Sequence, residues 1–347
     1  MKALLLSAAR TLSIAEVDTP SPAAGEVLVR VAACGICGSD VHGFTGSTGR
    51  RIPPIVMGHE AAGTVAAVGE GIDDLPPGTR VALDSTAHCG HCEYCATGRE
   101  NLCSDRQVLG VSCGTYRRHG CFAEYVCVPR RILHRIPDAV GFVAAAPLEP
   151  LTIALHAVNL AAAGPQTRSA VVVGAGTIGL AVVAALRARG VPRIAAIDLD
   201  ATRLEHAQRL GATEVFPAGD EAGRLAAAWG RGSVDADGAD IAIEAVGSTP
   251  AVRTAIDAVT RGGTVVLVGN VAPEIELPLQ QVVTRQIRLQ GSCCTAGSYP
   301  EAIRLVADGT IDLSSFVSRV APLAEGPTWF DRLLGQEPGL LKVVLEP

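Results

Sequence analysis

Residues 170–179 read Ala170-Val-Val-Val-Gly174-Ala-Gly176-Thr177-Ile178-Gly179, and this stretch decides the fold. Three β-branched residues in a four-residue apolar run suit a strand buried on both faces. The chain then turns on glycines. The first permits a tight turn, the second lets backbone approach a pyrophosphate, and the third lets the next helix pack against the strand. The helix opening at Ile178 offers unpaired N–H groups and the positive end of its dipole to phosphate. Such a turn can also join strand to helix with no ligand. Here, however, the run Ile194-Ala-Ala-Ile197 ends in Asp198, nineteen residues after Gly179, where a carboxylate accepts hydrogen bonds from the adenosine ribose. Asp198 would also repel the 2′-phosphate of NADP, so the expected cofactor is NAD. Arg203 is either a second ribose contact or an exposed helix charge.

Outward from this stretch, strand-like runs at 170–173, 194–198, 241–244 and 265–268 alternate with helical stretches at 178–189, 202–210 and 251–259. That alternation predicts a parallel sheet with crossover helices. The first half is different. Short alternating runs at 27–31, 63–68, 79–83 and 122–128, punctuated by Pro20, Pro53-Pro54 and Pro76-Pro77, predict a compact β-barrel. Residues 147–160 have a helical period, with Leu151, Ala154, Leu155 and Val158 on one face. After residue 289 the pattern is mixed, with a helix at 299–307 and a last strand at 342–345.

At 347 residues the chain is long for one core, and two domains are expected. A net charge of −6 argues against a nucleic-acid or anionic-membrane surface. Eleven cysteines, an odd number, suit metal ligands and thiols in a reducing compartment. The opening Met1-Lys-Ala-Leu-Leu-Leu-Ser7 is too short an apolar run for a signal peptide and reads as a first strand. With no apolar run taken to span a bilayer, the expected location is cytoplasmic. Only Lys2 and Lys342 are lysines, which removes a Gly-Lys-Ser/Thr phosphate loop and makes a Schiff-base lysine a poor candidate.

Cys89, Cys92, Cys95 and Cys103 follow C-x2-C-x2-C-x7-C. Four thiolates close a tetrahedral zinc shell with no open position, which holds a loop and does no chemistry. Two disulfides are the competing reading, and the length of the chain and the absence of a secretory signal disfavour them. A second group is dispersed. Cys37 lies in Gly35-Ile-Cys37-Gly-Ser39-Asp-Val-His42, and His59-Glu60 follows Met57-Gly58. Thiolate, imidazole and carboxylate together suit a zinc with an open position.

These stretches, with Gly58-His-Glu-Ala-Ala-Gly-Thr-Val65 and Leu148-Glu-Pro-Leu151, run in the order found in zinc-dependent medium-chain alcohol dehydrogenases. The chain resembles that superfamily, and within it the sorbitol (polyol) dehydrogenase branch. The resemblance implies an α/β protein with a GroES-like β-barrel catalytic domain and a Rossmann doubly wound parallel-sheet domain. The expected division is residues 1–153 for the catalytic domain, with a zinc lobe at 88–104, 154–292 for the NAD-binding domain, and 293–347 returning to the first. It implies two zinc ions per chain, one structural and one catalytic, the latter held by Cys37, His59 and a carboxylate. Glu60 and Glu149 both match positions used as ligand or near neighbour, and the choice between them stays open. Ser39 is expected to start a proton relay and His42 to continue it, against the plainer readings of a loop-capping serine and a surface histidine. Beyond Gly174, Gly176, Thr177, Ile178, Gly179, Asp198 and Arg203, the cofactor contacts expected from the resemblance are Val268, Gly269, Asn270, Cys293 and Cys294. A homo-oligomer, dimer or tetramer, is also implied.

The implied reaction transfers a hydride between a secondary hydroxyl of a polyol or sugar-like alcohol and NAD, giving a ketone. The match departs from sorbitol dehydrogenases at two places. Gly43 stands where they carry an aromatic residue, and Cys294-Thr295 stands where they carry Arg-Tyr. Both changes suggest a pocket for something larger or differently shaped than sorbitol. Arg117 and Arg118 could grip a sugar phosphate, which makes a sugar-alcohol-phosphate dehydrogenase an alternative, as is a general secondary alcohol dehydrogenase. Gly110-Val-Ser112-Cys-Gly114 matches a hydrolase nucleophile elbow, but the residues after it lack the apolar helical face such an elbow requires. A non-catalytic nucleotide-binding protein or a zinc-free reductase would have no use for both cysteine groups.

Overall fold

The computed structural model describes residues 1–219, 223, 226–227, 229 and 238–347. The chain divides into two compact units, Met1–Glu149 with Thr295–Pro347, and Pro150–Cys294.

In the second unit, six of the described strands form one parallel sheet in the order Glu214–Pro217, Arg193–Asp198, Ser169–Val173, Ala239–Glu244, Val259–Leu267 and Arg288–Gly291. Sequence order along the sheet is 3-2-1-4-5-6, the doubly wound arrangement. The order reverses beside Ser169–Val173, so the glycine turn after that strand opens at the switch point where ligands enter such sheets. Ser169–Val173 is buried throughout, as its two-sided apolar run requires. Helix Thr177–Ala188 buries every residue from Gly179 to Leu186. Helix Ala201–Arg209 is capped by Asp200, whose side chain accepts from the N–H groups of Thr202 and Arg203. Loss of such a cap costs about 1 kcal/mol.

The first unit is built on a mostly antiparallel sheet. Its path runs Leu133–Arg135, Arg80–Leu83, Glu60–Val68, Glu26–Gly35, Val343–Glu346 and Arg319–Pro322, and Tyr125–Pro129 also pairs with Glu26–Gly35. Lys2–Ala8 lies between Thr11–Glu16 and Ile55–Val56 in a smaller sheet. Phe330 packs at 5.5 Å from Phe44 and edge-on at 5.9 Å from Phe122, so the C-terminal helix Gly326–Leu334 closes the barrel core. Two registers matter for function. Gly35 pairs with Glu60 on one side and with Val344 on the other, which brings the last strand of the chain beside residues 35–60.

Several short pairs, such as Val111–Ser112 with Arg117–Arg118, have too few residues to show a period in the sequence. That hairpin removes the hydrolase reading, because Ser112 is buried in a two-residue strand and is followed by a turn rather than a helix. Residues 142–160 need a correction. Against the expectation of no membrane-length apolar run, Phe142–Leu160 is a 19-residue helical run apolar enough by length and composition to cross a membrane, and it is 67% buried in protein.

Candidate active site

Cys37 precedes helix Gly38–Phe44, and Asp40 in the first turn reaches back to accept the Cys37 N–H at 3.3 Å. His59 and Glu60 enter strand Glu60–Val68 from the turn at Gly58, which has φ +91°. An added Cβ at Gly58 would press on Phe122 and the Cys34 sulfur at under 3 Å, so this turn is reserved for glycine. The result is that donor atoms of Cys37, His59 and Glu60 all lie within 4.8 Å of one another.

Charged side chains are buried beside His59 and Glu60. Asp40 Oδ1 stands 3.5 Å from His59 Nδ1 and accepts from Arg51 Nη2 at 3.0 Å. Burial opposes the Asp40 charge, but His59 and Arg51 more than offset it and hold the carboxyl well below its usual range. Burial likewise opposes a charged His59, and Asp40 and Cys37 reverse that, raising its pKa. A carboxylate behind an imidazole fixes ring orientation and raises ligand basicity in metal sites. Glu60 accepts from Lys342 Nζ with both oxygens at 2.7 Å, and Lys342 also donates to the Ile36 carbonyl at 3.0 Å. Gly35 makes room for this, since a Cβ there would stand 2.4 Å from Glu60 Oε2.

Glu149 is buried and accepts from Ser85 Oγ at 2.8 Å. Burial pushes its carboxyl above the ordinary range. It lies outside the Cys37–His59–Glu60 group. Ser39 is exposed and takes a long contact of 3.4 Å from Arg51 Nη2. His42 is exposed one turn further along the same helix. Gly43 does not open space as expected. A Cβ there would stand 2.2 Å from Arg51 Cγ, so the arginine stem already fills that volume. Arg51 and Asp40 are the residues that sequence reasoning passed over, and nothing in their spacing marks an ion pair 5% and 0% exposed.

The sulfurs of Cys89, Cys92, Cys95 and Cys103 form the second cluster, mutually within 4.8 Å. Backbone N–H groups point at them, Cys92 N to Cys89 Sγ at 3.3 Å and Cys89 N to Cys103 Sγ at 3.2 Å. The N–H groups of Cys95 and Ser104 draw the Cys92 thiol down to about 5. Burial instead pushes the Cys95 thiol up to about 12, so the fit to a four-sulfur zinc site rests on the mutual approach of the sulfurs.

In the second unit, Gly174 has φ +92°, and a Cβ on Gly179 would stand 1.7 Å from the Gly174 carbonyl. Gly176 has open space where its Cβ would be, at the uncapped start of helix Thr177–Ala188. That open, N–H-lined turn fits a pyrophosphate. Asp198 accepts from Ala175 N at 2.6 Å and Asp200 N at 2.9 Å, and its carboxylate retains lone pairs for ribose hydroxyls. Arg203 Nε lies 3.8 Å from Asp200, with the side chain 40% exposed. Val268, Gly269 and Asn270 follow strand Val259–Leu267, and Gly269 packs directly on the Val246–Gly247 backbone. Cys293 and Cys294 follow strand Arg288–Gly291. Arg117 donates to Ser112 Oγ and Arg118 to Gln107 Oε1, each at 3.3 Å.

Two family profiles match the chain, the alcohol dehydrogenase GroES-like domain over residues 23–138 and the zinc-binding dehydrogenase domain over residues 177–308. The chain is 33% identical to sorbitol dehydrogenase of Bacillus subtilis, covering 100% of this chain and 97% of that one. It is 34% identical to D-xylulose reductase A of Aspergillus oryzae, covering 90% and 88%. A zinc-binding dehydrogenase of Sinorhizobium meliloti 1021, solved bound to NADP, superposes with a TM-score of 0.87 at 33% identity, covering 100% and 99%. A short chain alcohol dehydrogenase of E. coli CFT073, solved with NADH, superposes with a TM-score of 0.90 at 30% identity, covering 100% and 99%. The protein is therefore an oxidoreductase of the zinc alcohol dehydrogenase class. It belongs to the zinc-dependent medium-chain alcohol dehydrogenase superfamily, in its polyol branch.

Proposed function

We propose that the protein is an NAD-dependent polyol dehydrogenase that interconverts a secondary hydroxyl flanked by other hydroxyls and the corresponding ketone. The observation that carries this reading is the convergence of Cys37, His59 and Glu60 within 4.8 Å, a soft, three-ligand set of the kind that leaves a zinc position open. When bound, zinc supplies Lewis acidity that lowers the pKa of an alcohol. Glu60 is the carboxylate ligand in this reading. Glu149, buried and accepting from Ser85, lies within electrostatic reach of His59 and Glu60, which suits a near neighbour of the site. Asp40 orients the His59 ring, and Arg51 keeps Asp40 ionised. Ser39 takes the hydroxyl proton, and His42, one turn on and exposed, passes it to water.

In the second unit the Gly174–Gly179 turn holds the pyrophosphate and Asp198 the adenosine ribose, which favours NAD over NADP. The second zinc sits among the four sulfurs of the 89–103 loop. The polyol class is supported by the sorbitol and D-xylulose relatives. A homo-oligomer, dimer or tetramer, completes the proposal.

The test is an NAD-linked oxidation screen over sugar alcohols, inositols and simple secondary alcohols, with and without zinc. The best polyol should exceed 2-butanol or cyclohexanol in kcat/KM by at least about a hundredfold, since a site built for a hydroxyl rejects analogues lacking it. A screen won by plain alcohols would place the protein among general alcohol dehydrogenases instead.

A further inference from the structure

Two cysteines adjacent in sequence, Cys293 and Cys294, have their sulfurs 3.8 Å apart. Consecutive side chains on an extended chain point to opposite faces, which keeps neighbouring sulfurs apart. Here the chain leaves strand Arg288–Gly291, and Cys294 adopts φ +53°, a left-handed conformation that non-glycine residues seldom take. That backbone turn redirects the second Cβ and brings the two thiols to one side. Cys293 is exposed and Cys294 half-buried, so the first residue is open to solvent and the second partly covered. Neither belongs to the two cysteine-containing metal groups.

From this geometry we propose that Cys293 and Cys294 form a reactive vicinal dithiol, a modification site that low-molecular-weight disulfides close into a Cys293–Cys294 disulfide. The Cys293 thiolate attacks one sulfur of the reagent, forming a mixed disulfide and expelling one thiolate. The Cys294 thiolate then attacks the Cys293 sulfur and expels the second. The dithiol loses two electrons and two protons, and the reagent disulfide gains them as two thiols. Exchange of this kind needs a thiolate with access and a resolving sulfur at hand, and the pair supplies both. The short reach between the sulfurs also makes the reduced pair a ligand for trivalent arsenicals, which bridge two neighbouring thiols.

The readout is independent of activity. Trypsin cuts after Arg288 and Arg304, and the fragment 289–304 contains Cys293 and Cys294 and no other cysteine. The zinc-loaded full-length protein is treated with oxidised glutathione, the remaining thiols are alkylated, and this fragment is weighed. The expected fragment carries no alkyl group, is lighter than the reduced peptide by two hydrogens, and regains full alkylation after reduction. Cys294→Ser should instead trap a stable glutathione adduct on Cys293. Phenylarsine oxide added first should block disulfide closure in the wild type and leave the Cys294→Ser adduct untouched. A wild-type fragment that stays fully alkylated, carries two glutathiones, or joins a second chain overturns the proposal.

Discussion

Lys342 Nζ donates to both carboxylate oxygens of Glu60 at 2.7 Å, with the two side chains 2% and 1% exposed. The pair joins residues 282 positions apart and fastens the last strand of the chain to the start of Glu60–Val68. Burial opposes the Lys342 charge, but Glu60 and then Cys37 more than offset it, so the ammonium pKa lies above its ordinary value. Breaking one side of such a pair is costlier than never having built it.

Lys342→Met should accordingly destabilise the protein by about 3–5 kcal/mol. The loss should be larger in chelator-treated protein than in zinc-loaded protein, because a metal at Glu60 gives the stranded carboxylate another partner. Urea unfolding of the two forms measures both. Equal losses with and without zinc would mean that Glu60 does not face the metal.

Zinc removal should proceed in two steps. The Cys37–His59–Glu60 set has three ligands and the 89–103 loop has four, so a chelator should empty the first before the second. Activity should vanish while far-UV circular dichroism is unchanged. Cys95→Ser should act differently, lowering the yield of folded protein. Elemental analysis returning fewer than about two zincs per chain in carefully prepared enzyme would count against the four-plus-three assignment.

Asp198→Ala should weaken NAD and relieve repulsion of the NADP phosphate, narrowing the kcat/KM ratio between them. Each tenfold change corresponds to about 1.4 kcal/mol of transition-state binding. It should also free the Ala175 N–H that Asp198 now holds at 2.6 Å. Wild-type enzyme using NADP as well as NAD would detach Asp198 from the ribose.

His134 stacks flat on Tyr299 with ring centroids 4.4 Å apart. Burial first, then the charges of Arg130 and His88, pull its pKa down from 6.5 to about 4. With the folded value below the unfolded one, the contribution to stability is complete above pH 6.5 and is lost as pH falls through about 4. The loss amounts to at most about 3 kcal/mol. His134→Leu should flatten the fall in melting temperature across that window. A variant with the wild-type slope would show that another group governs it.

The dinucleotide turn and the four-cysteine loop were legible because each is local. Gly174 needs its positive φ and Gly179 its close approach, and both requirements are written into ten consecutive residues. Sulfur spacing within fifteen residues works in the same way. The partners of the dispersed ligands were not legible. Arg51 reaches Asp40 across a turn and Lys342 reaches Glu60 through sheet register, and neither contact leaves a period or motif in the chain. Gly43 was misread for the same reason, since the sequence showed a missing aromatic side chain but not the arginine occupying its place. Two-residue strands such as Ile55–Val56 are too short for alternation to be seen.

The burial of Lys342 has a practical side. Of the two lysines in the chain, it is sealed in the core. Lys2 is the one lysine left at the surface. Amine-directed acylation, dye coupling or attachment to an activated resin should therefore converge on the amino-terminal strand, giving a conjugate tethered at one defined edge instead of a random mixture.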